Sequence, residues 1–248
     1  FILRVVNLIT GASSGLGKYL LQKLDALKYD RTKPEKYNNR IYDLIVHTAH
    51  GKPLDNQSFD DYYYSHQKVL NDLLELKTKR FVFISSIDAC SEPKNQSEYA
   101  RCKIKLENYL KSSRDEYQIL RPGLLMGPNM RINQLLKVAL NDSSKLTLAP
   151  LSTFSIVFYN DILSAIKSNK LGIFNVISNN KVSMLNTSKY FKTNPNWGEY
   201  VYETPTPSAN ELRFENEYLL NLDPLYRLAL FTKYKCWNNS ANFDKYFI

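Results

Sequence analysis

Apolar positions in the first half of the chain gather into short continuous runs. Leu3–Ile9 is interrupted only by Arg4 and Asn7, and Tyr42–Ala49 carries Leu44-Ile45-Val46 at its centre. Arg80–Ser86 contains Phe81-Val82-Phe83-Ile84, and Tyr117–Leu120 leads into Arg121-Pro122-Gly123. Short runs that are apolar at consecutive positions fit strands covered on both faces, as in a parallel sheet. Between them the period changes. Leu20, Leu21 and Leu24 follow Lys18, and Phe59–Leu76 and Glu98–Lys111 are helix-compatible. Strands alternating with helices predict βαβ crossovers and a doubly wound parallel α/β sheet. Asp25–Arg40 is short and polar, with Pro34 and Asn38-Asn39 marking loop.

From about Asn129 the regularity weakens. Ile132–Leu140 reads as a helix, Phe154–Tyr159 as a strand, Asp161–Ser168 as a short helix and Gly172–Ile177 as a strand. Beyond Asn194, proline, asparagine and aromatics dominate and no period stands out. The expected division is residues 1–128 as the main α/β domain and 129–248 as a smaller region that partly returns to the main sheet. The tail aromatics, Tyr226, Phe231, Tyr234, Trp237, Phe243, Tyr246 and Phe247, are expected in a core or a subunit contact.

Composition narrows the picture without choosing a ligand. The 248 residues hold 44% hydrophobic and 23% charged residues, the mix of a globular chain, which excludes disorder and collagen-like sequence. Cys90, Cys102 and Cys236 are odd in number and lack metal-ligand spacing, so neither a disulfide framework nor a metal site is expected. No apolar run approaches the roughly 18 residues of a membrane span, and the first residues lack the layout of a signal peptide. The expectation is a cytoplasmic protein. A formal charge of +9 suits an anionic partner: a dinucleotide, a phosphorylated metabolite or nucleic acid.

Chemistry enters at the first turn. Thr10-Gly11-Ala12-Ser13-Ser14-Gly15-Leu16-Gly17 joins the first strand to a helix. Glycines there permit a tight turn and close approach of phosphate to the backbone, while the helix start offers unpaired N–H groups. Further along, Ser86 closes a buried strand, Tyr99 follows 13 residues later (99 − 86), and Lys103 lies one helical turn beyond Tyr99 on the same face. A lysine ammonium beside a phenol favours phenolate, which is the expected route to acid/base chemistry near neutrality. A solvated helix face is the alternative for any Tyr-x-x-x-Lys pair. His47 and His50 are expected to be packed, hydrogen-bonded residues.

Taken together, Thr10-Gly11-x-x-x-Gly15-x-Gly17, Ser86 and Tyr99-x-x-x-Lys103 resemble the short-chain dehydrogenase/reductase superfamily. Asp43-Leu44-Ile45-Val46-His47-Thr48-Ala49-His50, Leu120-Arg121-Pro122-Gly123-Leu124-Leu125-Met126-Gly127-Pro128, Phe158-Tyr159-Asn160-Asp161-Ile162 and Gly172-Ile173-Phe174-Asn175-Val176 resemble, in order, segments of its extended branch. That branch is the NAD-dependent epimerase/dehydratase family, which acts on nucleotide sugars. The resemblance covers about residues 3–190 and implies a Rossmann-like fold with a substrate cap.

It further implies catalytic Ser86, Tyr99 and Lys103. The cofactor, NAD or NADP, would be held by Gly11, Ser13, Ser14, Gly15, Leu16, Gly17, Asp30, Arg31, Thr48, Ala49, His50, Tyr99, Lys103, Pro122 and Gly123. Ser86, Asn129 and Arg131 would bind the nucleotide-sugar substrate. Asp30 implies NAD through the adenosine ribose, whereas Arg31 implies NADP through a 2′-phosphate. A homodimer through Phe59–Leu76 and Glu98–Lys111 is implied as well.

The chain departs from the family in several places. Its glycine spacing follows the shorter members, the Ser86–Tyr99 interval is tight, and Gly17–Asp43 is short. Asp30 lies 13 residues after Gly17, against about 20 in the usual motif, so either the second strand is short, about Ala26–Tyr29, or adenosine recognition is degraded. Ser65 stands where the family has asparagine. Only Asp88 follows Ser86 where dehydratases place an acidic pair, which favours epimerisation or 4-keto reduction over dehydration. The alternative reading is a non-catalytic or RNA-associated protein that retains the dehydrogenase fold; nucleic acid is otherwise not expected as a partner.

Overall fold

The computed structural model describes residues 6–51, 53–207 and 223–247. Part of the expected first strand, residues 3–5, lies outside them. Six parallel strands form the central sheet: β1 (Asn7–Ile9), β2 (Ala26–Lys28), β4 (Leu44–His47), β6 (Phe81–Ile84), β7 (Tyr117–Pro122) and β11 (Gly172–Val176). Their spatial order is β11-β7-β6-β4-β1-β2. Three short pairs complete the strands. β3 (Ile41–Tyr42) pairs with β5 (Lys77–Thr78), β8 (Leu124–Met126) with β10 (Ile156–Phe158), and β9 (Thr153–Phe154) with β12 (Val182–Ser183).

Every residue of β4 and β6 is buried, which is why their sequences are apolar at consecutive positions. The strand order reverses direction between β1 and β4, the switch point where open α/β sheets bind ligands beyond the carboxyl ends of their strands. The short Gly17–Asp43 segment supplies β2 alone to the central sheet.

Helices cover both faces: α1 (Gly15–Lys23), α2 (Phe59–Leu74), α3 (Glu98–Ser113), α4 (Gln134–Ala139), α5 (Tyr159–Lys167) and α6 (Met184–Phe191). Side-chain caps set the starts of four of them. Ser58, Ser97, Asn133 and Ser183 accept backbone N–H groups of the first turns of α2, α3, α4 and α6. Ser14, at the start of α1, makes no such bond.

The weak periodicity beyond Asn194 does not mean irregular structure. Helices Pro224–Lys233 and Ser240–Phe247 close the chain. Phe231, Phe243 and Phe247 are buried against Phe158, Tyr159 and Tyr19. One hydrophobic cluster therefore runs from Ile9 to Phe247, across residue 128. Tyr226, by contrast, is exposed. A second cluster on the other face joins Tyr62, Leu70 and Leu73 of α2 to Cys102, Leu106 and Leu110 of α3.

Candidate functional site

The carboxyl ends of β1, β4 and β6 converge on one edge of the sheet. Thr10 ends β1, and its Oγ1 accepts the Thr48 and Ala49 amides at 3.1 Å each. Its hydroxyl proton is then directed to His47 Nδ1, 2.8 Å away. Thr48 Oγ1 in turn donates to the Thr10 carbonyl at 2.7 Å. These bonds clamp the glycine turn to the end of β4. Gly11 has φ +67°, and a Cβ on it would lie 2.6 Å from Thr48 Oγ1. A Cβ on Gly17 would lie 2.3 Å from the Gly11 carbonyl oxygen. Both positions therefore require glycine.

Beside this turn lies a cleft of about 640 Å³. Gly11-Ala12-Ser13 form its floor, Asp30-Arg31-Thr32 one wall, and Ala49-His50-Gly51 with Ser65 and His66 the other. Asp30 Oδ1 accepts the Thr32 amide and hydroxyl at 3.0 and 2.7 Å, and these bonds hold its carboxyl below the usual range. Asp30 and Arg31 are thus both brought to the cleft, short as the preceding segment is.

The start of α1 departs from the expectation. The Gly15 amide donates to the Asn129 carbonyl at 3.1 Å, and the Leu16 amide to the Tyr159 hydroxyl. Lys18 Nζ reaches Asn129 Oδ1 at 3.3 Å. Asn129, expected to meet substrate, lies against the start of the helix expected to hold phosphate. The same loop is anchored from behind by the Asn129 amide on the Trp237 carbonyl at 2.8 Å. Arg131 on this loop is exposed. Gly123 is pressed against Ser155, whose carbonyl oxygen would lie 2.3 Å from a Cβ there, and Pro122 is buried at the end of β7.

Between the cleft and Tyr99 stand two imidazoles. His50 and His66 stack with centroids 4.0 Å apart, and Tyr99 meets His50 edge-on at 4.9 Å. Tyr62 donates its hydroxyl proton to the Gly51 carbonyl, so His50 Nε2 must donate to Tyr62 across 2.7 Å. Burial, with Lys103 nearby, pushes His47 down to about 3 and His66 to about 4. His47 and His50 are packed, as their place at a strand end implies, and among the described residues no metal-binding group occurs.

Ser86, Tyr99 and Lys103 meet at the end of β6. Lys103 Nζ donates to the Ile84 carbonyl at 2.8 Å and lies 5.7 Å from the centre of the Tyr99 ring. Tyr99 is hydrogen-bonded with Ser86. Ser86 Oγ also approaches Asp88 Oδ2 at 3.2 Å, and Asp88 Oδ1 accepts the Tyr202 hydroxyl at 2.7 Å.

The electrostatics correct the expected order of acidities. Burial raises Tyr99 above the usual phenol range; Asp88 adds to the rise and the bond with Ser86 opposes it. Burial lowers Lys103 to about 7. A fully buried lysine is itself poorly able to hold charge, so it cannot act on Tyr99 as a solvated ammonium would.

One supporting pair escaped sequence reading. Glu107 lies one further turn along the face of Tyr99 and Lys103. It receives Arg121 from β7 at 2.7 and 3.0 Å and the Ser85 hydroxyl, all buried. The signal was available: a glutamate at four-residue spacing after Tyr99 and Lys103, and an arginine inside an apolar strand.

No protein-family model matches the sequence, nor does any curated protein. Solved structures do. UDP-N-acetylglucosamine 4-epimerase from Bacillus cereus aligns with a TM-score of 0.63 at 15% identity, covering 92% of this chain and 96% of that one. MoeE5 in complex with UDP-glucose and NAD gives 0.68 at 14%, covering 90% and 96%. UDP-glucuronic acid 4-epimerase from Bacillus cereus, in complex with UDP-glucuronic acid and NAD, gives 0.61 at 15%, covering 97% and 96%. The likeness is one of fold, and the fold is the Rossmann-like α/β architecture that the motifs imply.

Proposed function

We propose that this protein is an NAD(P)-dependent oxidoreductase of the epimerase kind, acting on a nucleotide sugar by epimerisation or 4-keto reduction. The observation that carries the reading is the convergence of Ser86, Tyr99 and Lys103 at the strand end beside the glycine turn. The fold shared with a UDP-glucuronic acid 4-epimerase solved with NAD, and with MoeE5 solved with UDP-glucose and NAD, supports it.

The residues present fit the adenosine side of a dinucleotide. Gly11 keeps the turn open to phosphate where a Cβ would not fit, and Asp30 or Arg31 would meet the ribose, favouring NAD or NADP respectively. A bound nicotinamide would supply reversible hydride chemistry at a sugar carbon. Tyr99 moves the matching proton at its hydroxyl oxygen. Ser86 turns its hydroxyl from Asp88 toward the reacting oxygen and stabilises the charge that develops there. Lys103, poised near neutrality, holds the ribose and lowers Tyr99 once both are solvated by ligand hydroxyls. Burial by the stacked imidazoles excludes water. In this reading α2 and α3 also form the homodimer face.

Substituting Tyr99→Phe abolishes turnover of UDP-sugars and leaves the thermal shift given by NAD or NADP in place. Normal turnover by that variant overturns the assignment.

A second reading has its own support: Asn129 and Tyr159 occupy two amides at the start of α1. A non-catalytic, RNA-associated relative has no need of those amides. Salt-dependent RNA affinity without any dinucleotide-induced shift would favour it.

A further inference from the structure

The cleft beside the glycine turn stops short of the helix. Gly11, Ala12 and Ser13 line it, whereas Ser14, Gly15 and Leu16 do not. The chain itself closes off the helix start. The Gly15 amide donates to the Asn129 carbonyl at 3.1 Å, and the Asn129 amide donates to the Trp237 carbonyl at 2.8 Å. Lys18 Nζ reaches Asn129 Oδ1 at 3.3 Å. One residue of the loop between β8 and α4 thus bridges α1 to the turn between the last two helices.

The two sides of this loop are held differently. Gly127 and Pro128 are buried, and Gly127 lies so flat on Tyr159 that a Cβ there would meet the ring. Asn129 is exposed, with φ +57°, and exposed Arg131 and Ile132 follow it. The tip is therefore fixed by hydrogen bonds and not by burial, the kind of contact that opens locally while the core stays folded. Tyr159, itself buried, remains as a fixed wall.

The turn that presents the Trp237 carbonyl is tightly built. Lys235 has φ +50°, the Cys236 amide donates to the Phe231 carbonyl at 3.0 Å, and Asn242 Nδ2 donates to the Tyr234 carbonyl at 2.7 Å. The helix after the turn also presses on α1, through Phe243 against Tyr19 and Asp244 on Lys23. What backs the loop tip therefore also backs the helix that the tip covers.

A diphosphate seats on a helix start through free amides. We propose that Asn129 is the latch of a gate over the glycine turn: a dinucleotide reaches the start of α1 only after the Asn129 carbonyl leaves Gly15, and the closing helices, through Trp237, set how often it leaves. The inference rests on the reading of the glycine turn as a dinucleotide site. Entry is then timed by the protein and not by the ligand concentration.

Amide hydrogen exchange, followed by NMR on the full chain without ligand, reads the latch. Lifting Asn129 frees two donors at once. Gly15 and Asn129 should exchange with opening constants within about threefold of each other, and at least about tenfold faster than Leu20 inside α1. Asn129→Gly keeps the left-handed backbone accessible and removes the bond to Lys18, so it should speed both amides by up to about tenfold, the worth of one hydrogen bond. Asn242→Ala, which loosens the turn behind Trp237, should speed them as well. Stopped-flow mixing with NAD and with NADP, read by tryptophan fluorescence, should give an association rate that levels off as ligand rises, at a plateau that Asn129→Gly lifts.

Exchange at Gly15 as slow as at Leu20, or unchanged in Asn129→Gly, overturns the proposal. So does an association rate that climbs linearly with ligand in both proteins. Unchanged exchange in Asn242→Ala strikes the part given to the closing helices. These outcomes leave the oxidoreductase assignment standing, because none depends on hydride transfer. Failure of both dinucleotides to bind either protein overturns the gate and the dinucleotide reading together.

Discussion

The Gly15 amide donates to the Asn129 carbonyl at 3.1 Å, and with the Leu16–Tyr159 bond it satisfies part of a helix start that Ser14 leaves uncapped. A phosphate arriving at α1 competes with these two protein acceptors. Tyr159→Phe frees the Leu16 amide. Its expected effect is tighter NAD binding, up to about tenfold, since one hydrogen bond is worth about 1 kcal/mol. Isothermal titration reads it, and unchanged affinity would show that Tyr159 does not compete.

The pair Arg121–Glu107 is buried and ties α3 to β7. Removing one partner leaves an uncompensated buried charge. Arg121→Met should cost about 3–5 kcal/mol in urea unfolding, and adding Glu107→Met should recover most of it. Additive losses in the double variant would mean that the two residues act separately.

Lys103 and the histidines give stability two pH windows. Lys103 is lowered to about 7 from 10.5, so between those values the unfolded chain binds the extra proton. Stability therefore rises with pH across that interval, and the burial cost is fully present below about 7. Lys103→Met should flatten this rise in urea melts; parallel curves would refute it. In acid the unfolded histidines take protons first, because His47 and His66 are held at about 3 and about 4 against 6.5. Stability is lost as pH falls from about 6.5 toward 3, and His66→Gln should make that loss shallower in thermal melts.

Phe243 is fully buried and meets Tyr19 edge-on at 5.5 Å. Phe243→Ala should cost about 3–5 kcal/mol, the range for deleting a buried aromatic. A loss below about 1 kcal/mol would mean that the closing helix is not part of the core.

These residues also mark what was legible in the sequence. Phe81–Ile84 announced a strand because both faces are covered, and the proximity of Ser86, Tyr99 and Lys103 was legible because their spacing matches a strand end and one helix face. The helix Ser240–Phe247 was hidden: its apolar face is only partly apolar, and contacts with Tyr19 and Phe158, far off in sequence, complete it. The place of Asn129 against α1 was hidden for a related reason. A polar loop residue declares its chemistry but not which element the loop will lie across. The lowered pKa of Tyr99 expected from Lys103 is opposed by burial, and spacing says nothing about burial.

The contact between Tyr19 and Phe243, reinforced by the Lys23–Asp244 ion pair at 2.8 Å, sets an order on biosynthesis. During translation α1 precedes Phe243 by more than two hundred residues, so the part of its cover that the last helix supplies arrives long after the part that Tyr159 supplies. Termination before Phe243 would release a product in which Tyr19 keeps Tyr159 but lacks its edge-on partner, a candidate for chaperones and proteases.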